Sequence, residues 1–129
     1  MNLDSIFAPY EKSLEISAKR TNVLASNLAN ADTPGYKARD IDFKAALNDA
    51  MSQDSGRMIA TNGAHITDDQ TMMYADLKYR VPLQTKLDGN TVDSQVENSK
   101  FAENSIRYVA SLRFLDHNIK SLMLSLRGE

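Results

Sequence analysis

The sequence predicts a mainly α-helical chain. Long N- and C-terminal helices pair as a coiled coil, and the region between them holds a short helix with irregular or β-hairpin structure. Three observations predict this. Apolar residues recur near both termini at alternating spacings of four and three, the seam pattern of a coiled coil. Thr33-Pro34-Gly35 stops the first pattern abruptly. A polar stretch rich in turn residues then separates it from the second. With 129 residues, one domain is the default, and three segments divide it: an N-terminal helix over 1–31, a middle over 32–92 and a C-terminal helix over 93–129.

In the first segment the seam runs through Leu3, Phe7, Tyr10, Leu14, Ser17, Thr21, Leu24 and Leu28, six of the eight apolar or aromatic. A helix opening near Asp4 or Ser5 tolerates Pro9 close to its start, where amides lack intrahelical partners. Pro34 biases Thr33 out of helical geometry and Gly35 accepts a positive φ, the signature of a type II turn. In the middle, Asp42 is placed to cap a short helix carrying Phe43, Ala46, Leu47, Ala50 and Met51. Arg57 to Thr61 and His65 to Thr67 read as weak strands around Asn62-Gly63, a good hairpin dipeptide. Leu77, Tyr79 and Val81 alternate with Lys78 and Arg80 as a half-buried strand, which Pro82 confines to an edge or an end. Asp88-Gly89-Asn90 is a further turn.

The C-terminal seam is stronger: Phe101, Ser105, Tyr108, Leu112, Leu115, Ile119, Leu122 and Leu126, seven of the eight apolar or aromatic. Asp93 or Ser94 can cap its start, with Ser94 and Glu97 spaced as a capping box, and Gly128 suits the C-terminal end. Off-seam residues add second apolar stripes. Ile16 and Val23 lie one heptad apart; Ala102, Val109 and Met123 do likewise, joined by Ile106, Phe114 and Leu124. A helix apolar on more than one stripe needs more than one covering surface. Either neighbouring molecules or the middle segment could supply it.

Charge and chemistry exclude several classes. Fifteen basic against seventeen acidic residues give a net charge of −2, which argues against a broad nucleic-acid footprint. No stretch reaches the ~18 apolar residues of a membrane span, so no direct membrane insertion is expected. Met1-Asn2-Leu3-Asp4-Ser5 lacks the basic and apolar regions of a cleaved secretory signal. The chain has no cysteine, hence no disulfide, thiolate metal site or cysteine nucleophile. His65 and His117 have no ligand-spaced companion. Asp40 and Asp42 read as helix-capping carboxylates rather than an acid–base pair. Asp88, Asn90 and Asp93 fail as a calcium loop, because Val92 falls where an oxygen ligand belongs and Ser99 where the bidentate Glu belongs. Phe7, Tyr10, Phe101 and Tyr108 lie on seams, and Met58, Met72 and Met73 read as adaptable packing. No cofactor is indicated, and the reading is of a non-enzymatic building block. The alternative is a soluble coiled-coil adaptor or secreted effector that binds one partner through its C-terminal helix.

Ser26-Asn27-Leu28-Ala29-Asn30 followed by Thr33-Pro34-Gly35-Tyr36 resembles the N-terminal signature of bacterial flagellar rod and hook proteins, and Ala38-Arg39-Asp40-Ile41-Asp42-Phe43 continues it. Tyr79-Arg80-Val81-Pro82, then Leu87 to Asp93, Glu97, Phe101-Ala102, Asn104 and Tyr108, give a second match in the right order. Ser26 stands where many relatives carry Ala, and Met51 to Leu77 matches poorly. The resemblance implies a proximal-rod subunit whose terminal helices form an axial coiled-coil domain that packs beside its neighbours in a helical tube. It implies export without a cleaved signal through the flagellar type III apparatus into the periplasmic space. The implied partners are other copies and other rod subunits, the rod-to-MS-ring adaptor protein and the base of the export gate. Helix pairing and assembly would rest on Leu14, Leu24, Leu28, Phe101, Tyr108, Leu112, Leu115, Ile119, Leu122 and Leu126, with Leu14, Leu24 and Leu28 packing on Leu112, Leu115, Ile119 and Leu122 within one subunit. Asn27, Ala29, Asn30, Thr33, Pro34, Gly35 and Tyr36 would shape the exit from the first helix. Asp88, Gly89, Asn90 and Asp93 would return the chain to the second.

Overall fold

The structure is a computed structural model that describes residues 3–52, 77–82 and 86–128. The elements run α1 (Leu3–Ala29), β1 (Arg39–Ile41), α2 (Phe43–Ser52), β2 (Leu77–Tyr79) and α3 (Ser94–Arg127). The expected mainly helical architecture is therefore present, with two long terminal helices packed together and a short helix and small sheet between them. The hairpin expected around Asn62-Gly63 lies outside the described residues.

α1 and α3 run antiparallel, because contacts pair rising numbers on one with falling numbers on the other: Ser13 with Ser111, Ser17 with Asn104, Asn27 with Glu97. Pro9 sits in the second turn of α1, further inside than the sequence suggests. Thr33 to Tyr36 form the expected turn: Gly35 has φ +72°, and the Tyr36 N–H donates to the Thr33 carbonyl at 3.3 Å. Asp42 caps α2 by accepting from the Ala45 N–H at 3.2 Å. Asp93 caps α3, accepting from the amides of Gln95 and Val96, while Gly128 ends that helix with φ +73°. The Ser94–Glu97 capping box does not form, because the Glu97 carboxylate is drawn into the helix interface.

β1 and β2 form an antiparallel pair with Ile41 opposite Leu77 and Arg39 opposite Tyr79. Ile41, Ile16 and Ala46 make the apolar core, against which Val23, Phe43, Leu47, Ala50 and Leu77 pack. The middle segment thus covers the second stripe of α1. Residues that alternate on β2 do not share a burial, however: Leu77 faces the core, but Tyr79 is 67% and Val81 87% exposed. The core ends at the Ile41–Leu77 rung, and one rung further Tyr79 lies under the Arg39 guanidinium, 5.3 Å from its ring centre.

The α1–α3 seam lies one residue away from the predicted one on half its length. On α1 the buried positions are Ser13, Ser17, Arg20, Leu24 and Asn27. On α3 they are Glu97 and Asn104, with Ser111 and Asn118 partly buried one and two heptads further on. These polar positions alternate with Phe101, Leu115 and Leu122, which are half-buried. Leu112, Ile119 and Leu126 point outward at 47%, 41% and 87% exposure, so the expected packing of Leu112 and Ile119 onto α1 within the subunit is not what the chain adopts. Hydrogen bonds set the rotation of α3: Asn104 donates to the Ser17 carbonyl at 2.8 Å and to the Thr21 hydroxyl at 2.9 Å. An unpaired buried amide would cost more than leaving a leucine half-exposed.

Leu24 is the large apolar side chain fully enclosed in this seam. Leu24→Ala is expected to remove about 2–5 kcal/mol of stability, read as a lowered urea midpoint by circular dichroism. An unchanged midpoint would contradict this account of the seam.

Candidate functional site

The chain reverses between α1 and α3 through two loops that interlock at one end of the helix pair. Asn27, completely buried, uses its amide as a rung on the outer side of β1. It donates to the Arg39 carbonyl at 2.7 Å and accepts from the Arg39 N–H at 3.1 Å. Antiparallel pairing turns every second backbone unit outward; Arg39 is such a unit, since the Arg80 N–H bonds to the neighbouring Ala38 carbonyl. Asn27 also donates to Glu97 at 3.0 Å and accepts from the Tyr36 hydroxyl at 3.4 Å.

Asn90 does the corresponding work at the end of α1. It is 1% exposed, and its amide nitrogen reaches the carbonyls of Asn30 (3.0 Å), Ala31 (2.9 Å) and Thr33 (2.8 Å). These carbonyls belong to the turn that follows α1, and one side chain from about 60 residues away holds that turn in place. Its oxygen accepts from the Val92 N–H at 2.7 Å. The loop backbones touch as well. Gly35 N–H donates to the Asp88 carbonyl at 2.9 Å, and Thr91 N–H to the Tyr36 carbonyl at 3.0 Å. Gly89 has φ +75°, and a side chain there would meet the Gly35 Cα at 3.8 Å.

Beside this junction lies a charged cluster. Asp40 accepts from Arg20 (2.8 and 3.1 Å) and Arg80 (2.8 Å), with Lys100 at 3.5 Å. Arg80 also donates to Glu97, whose side chain is 1% exposed. One arginine from the middle segment therefore ties β1 to α3, and Glu97 carries the tie on to Asn27 of α1. Burial by itself would raise the Asp40 pKa, but hydrogen bonds and charge from Arg20, the Ile41 N–H and Arg80 outweigh it and hold the carboxyl at about 2. The same partnership raises the pKa of Arg20, the Asp40 hydrogen bond being the main cause.

Of the residues singled out in the sequence, Asn27, Asn30, Gly35, Tyr36, Asp88, Gly89 and Asn90 converge here. Thr33 joins them through its carbonyl, which accepts from Asn90; Ala29 and Pro34 are exposed around the rim, and Asp93 sits apart as the α3 cap. Leu24 is buried and Leu14 and Leu28 half-buried on α1, while Tyr108, Leu112, Ile119 and Leu126 form an outward column on α3. Sequence reasoning missed Arg20, named Arg80 and Asn104 only within the family match and without a role, and placed Asp40 as a helix cap; Asp40 bonds instead to Arg20 and Arg80, both little exposed beside it. A signal was available. Ser13, Arg20 and Asn27, and likewise Glu97, Asn104, Ser111 and Asn118, recur at heptad spacing. Among the described residues no cluster of three or more His, Cys, Asp or Glu could hold a metal, and no helix is long and apolar enough to cross a membrane.

The site is thus a pair of long helices whose two reversal loops interlock at one end. Residues 16–37, the end of α1 and the turn after it, match the family model described as flagella basal body rod protein. Over nearly the whole chain, the sequence is 43% identical to the flagellar basal body rod protein FlgB of Proteus mirabilis (97% of this chain, 96% of that one). It is 42% identical to FlgB of Aeromonas hydrophila (100% and 98%) and 44% identical to FlgB of Escherichia coli (94% and 92%). The chain belongs to the FlgB family of flagellar basal body rod proteins, structural components of the flagellum.

Two outcomes test the junction. A folded-state pKa below the unfolded value of 3.8 means Asp40 adds stability above about pH 4, which is lost as pH falls towards 2. Asp40→Asn should therefore lower stability by on the order of 2 kcal/mol at pH 6. That gap should close by pH 2 in urea titrations; a gap independent of pH would refute the assignment. Arg80→Met should cost about 3–5 kcal/mol by leaving Glu97 buried without its cation. Adding Glu97→Gln should recover most of that loss, and a strictly additive double mutant would show that the two side chains are not coupled.

Proposed function

We propose that the protein self-assembles through its terminal helices into the proximal part of the flagellar rod, as a segment of the shaft that transmits motor rotation. The observation that carries this reading is the outward column of α3. The α1–α3 seam is made largely by Ser13, Ser17, Asn27, Glu97, Asn104 and Ser111, while Leu112, Ile119 and Leu126 remain on the surface with Val109, Phe114 and Met123. Each such side chain gains about 1.5–3 kcal/mol if fully buried, whereas an intramolecular hydrogen bond nets roughly 0.5–1.5 kcal/mol. The larger gain lies in contact with other molecules.

In this reading the assembly residues on α1 and α3 meet copies of the chain and other rod subunits. The reversal junction keeps the two helices in one register so that every subunit presents the same face. The rod-to-MS-ring adaptor and the base of the export gate would be the contacts at the proximal end. Delivery would be by the flagellar type III route into the periplasmic space.

Leu112→Asp with Ile119→Asp is the direct test, because both positions are already partly solvated and their change should cost the monomer little. The purified variant is expected to keep its helix content and melting behaviour. Expressed in a motile host lacking its own copy, it should fail to restore swimming in soft agar, whereas His117→Ala should restore it fully. Normal swimming by the double variant would overturn the proposal.

A further inference from the structure

A groove of about 530 Å³ opens between β2 and the first half of α3. Six cationic side chains border it: Arg20, Lys44, Lys78, Arg80, Lys100 and Arg107. Asp40, Asp42 and Glu103 are the carboxylates in its wall, and Glu97 neutralises Arg80 from behind. Among the described residues the groove is thus positive by two, on a chain whose net charge is −2.

Its cations fall into two sets. Arg20 and Arg80 are committed to Asp40 and Glu97 with little exposure. Lys44 is exposed and has no ion-pair partner among the described residues. Lys78 is 65% exposed with Asp42 at 3.5 Å, Lys100 reaches Asp40 only at 3.5 Å, and the Arg107–Glu103 pair is half exposed. Exposed pairs of this kind are weak, so Lys78, Lys100 and Arg107 can exchange their partners for incoming anions, and Lys44 can meet one directly.

The walls also say what kind of anion. Val81 is 87% and Tyr79 67% exposed at the lip, beside half-buried Phe43. The Phe43 ring is occupied by the Arg107 guanidinium at 5.7 Å and Tyr79 by Arg39 at 5.3 Å. Each ring thus has one face taken by a guanidinium, which leaves no set of fully open rings for successive nucleobases, and the wall carboxylates would repel a continuous polyphosphate. A concave floor does not meet a planar lipid surface. The pairing of β2 with β1 turns the backbone of Leu77 and Tyr79 away from β1, so an extended chain can run alongside.

We propose that this groove is a docking site for an extended protein segment in which carboxylates alternate with apolar side chains. The carboxylates meet Lys44, Lys78, Lys100 and Arg107, and the apolar side chains cover Val81 and Tyr79. This surface is separate from the outward leucine column of α3, and its occupation does not depend on the assembly reading.

The test uses the full chain and a fluorescein-labelled octapeptide alternating Glu with Val and Leu, followed by fluorescence anisotropy. Saturable binding is expected, weakening in 0.5 M salt as surface ion pairs are screened. Lys44→Glu with Lys78→Glu should weaken it by about fivefold or more for each charge reversed. Lys12→Glu, on the far part of α1, should leave it unchanged. Circular dichroism of both variants confirms that the fold is kept. The proposal is overturned by no binding at millimolar protein or by equal binding of the Lys-for-Glu peptide. It is overturned equally by no effect of the groove variant, or by tighter binding of an eight-nucleotide oligo-dT or of anionic phospholipid vesicles.

Discussion

Glu97 is a carboxylate with almost no contact with water, set in the face of one long helix where it meets the other. A buried charge is tolerated only when it is paired and hydrogen-bonded. Here the pair must come from Arg80, which lies in neither helix, and the neutral bond from Asn27 of α1. The helix pair is therefore complete only when the middle segment has returned to it. Hydrogen bonds have direction and length as apolar contacts do not, so the junction also sets the register of α1 against α3. Asn104 on Ser17 and Ser111 on Ser13 hold the same register further along.

A polar seam has a consequence for the rest of α3. A helix can turn only one face towards α1, and the hydrogen-bonding face is the one chosen. The column carrying Leu112, Ile119 and Leu126 then points away, although it reads from the sequence as the better seam. On the chain by itself this leaves apolar surface exposed; in the proposed assembly that surface would be the contact area. Polar bonds that hold the chain's own register, with apolar area left over for neighbours, are the division that the proposal requires. Wrong pairings between subunits would have to bury Asn104 and Glu97 without partners, which is costly.

The two flanks of α3 differ along its length as well as around it. Its first half borders β2 and carries Lys100, Glu103 and Arg107 into the basic groove. Its second half carries the outward leucines and meets α1 on its other face, through Ser111 on Ser13. Charge guides and screens with salt, while apolar burial supplies the larger energy. A chain that separates the two along one helix can meet two kinds of surface at once.

Heptad spacing, the Thr33-Pro34-Gly35 stop, the Asp42 and Asp93 caps and the terminal Gly128 were legible in the linear sequence, because each depends on residues within a few places of one another. The family signature also singled out Asn27, Tyr36 and Asp88 to Asn90, but as two separate turns; that these turns interlock came only from the folded chain. β1 was not legible: Arg39-Asp40-Ile41 has no alternation and little strand propensity, and it becomes a strand because Asn27 and β2 satisfy its backbone from two sides. Nor was the choice between the two seams of α3. Apolar spacing counts how much area each face offers. The penalty for an unpaired buried Asn104 or Glu97 depends on which atoms of α1, β1 and β2 stand opposite, and only the folded chain brings those atoms together.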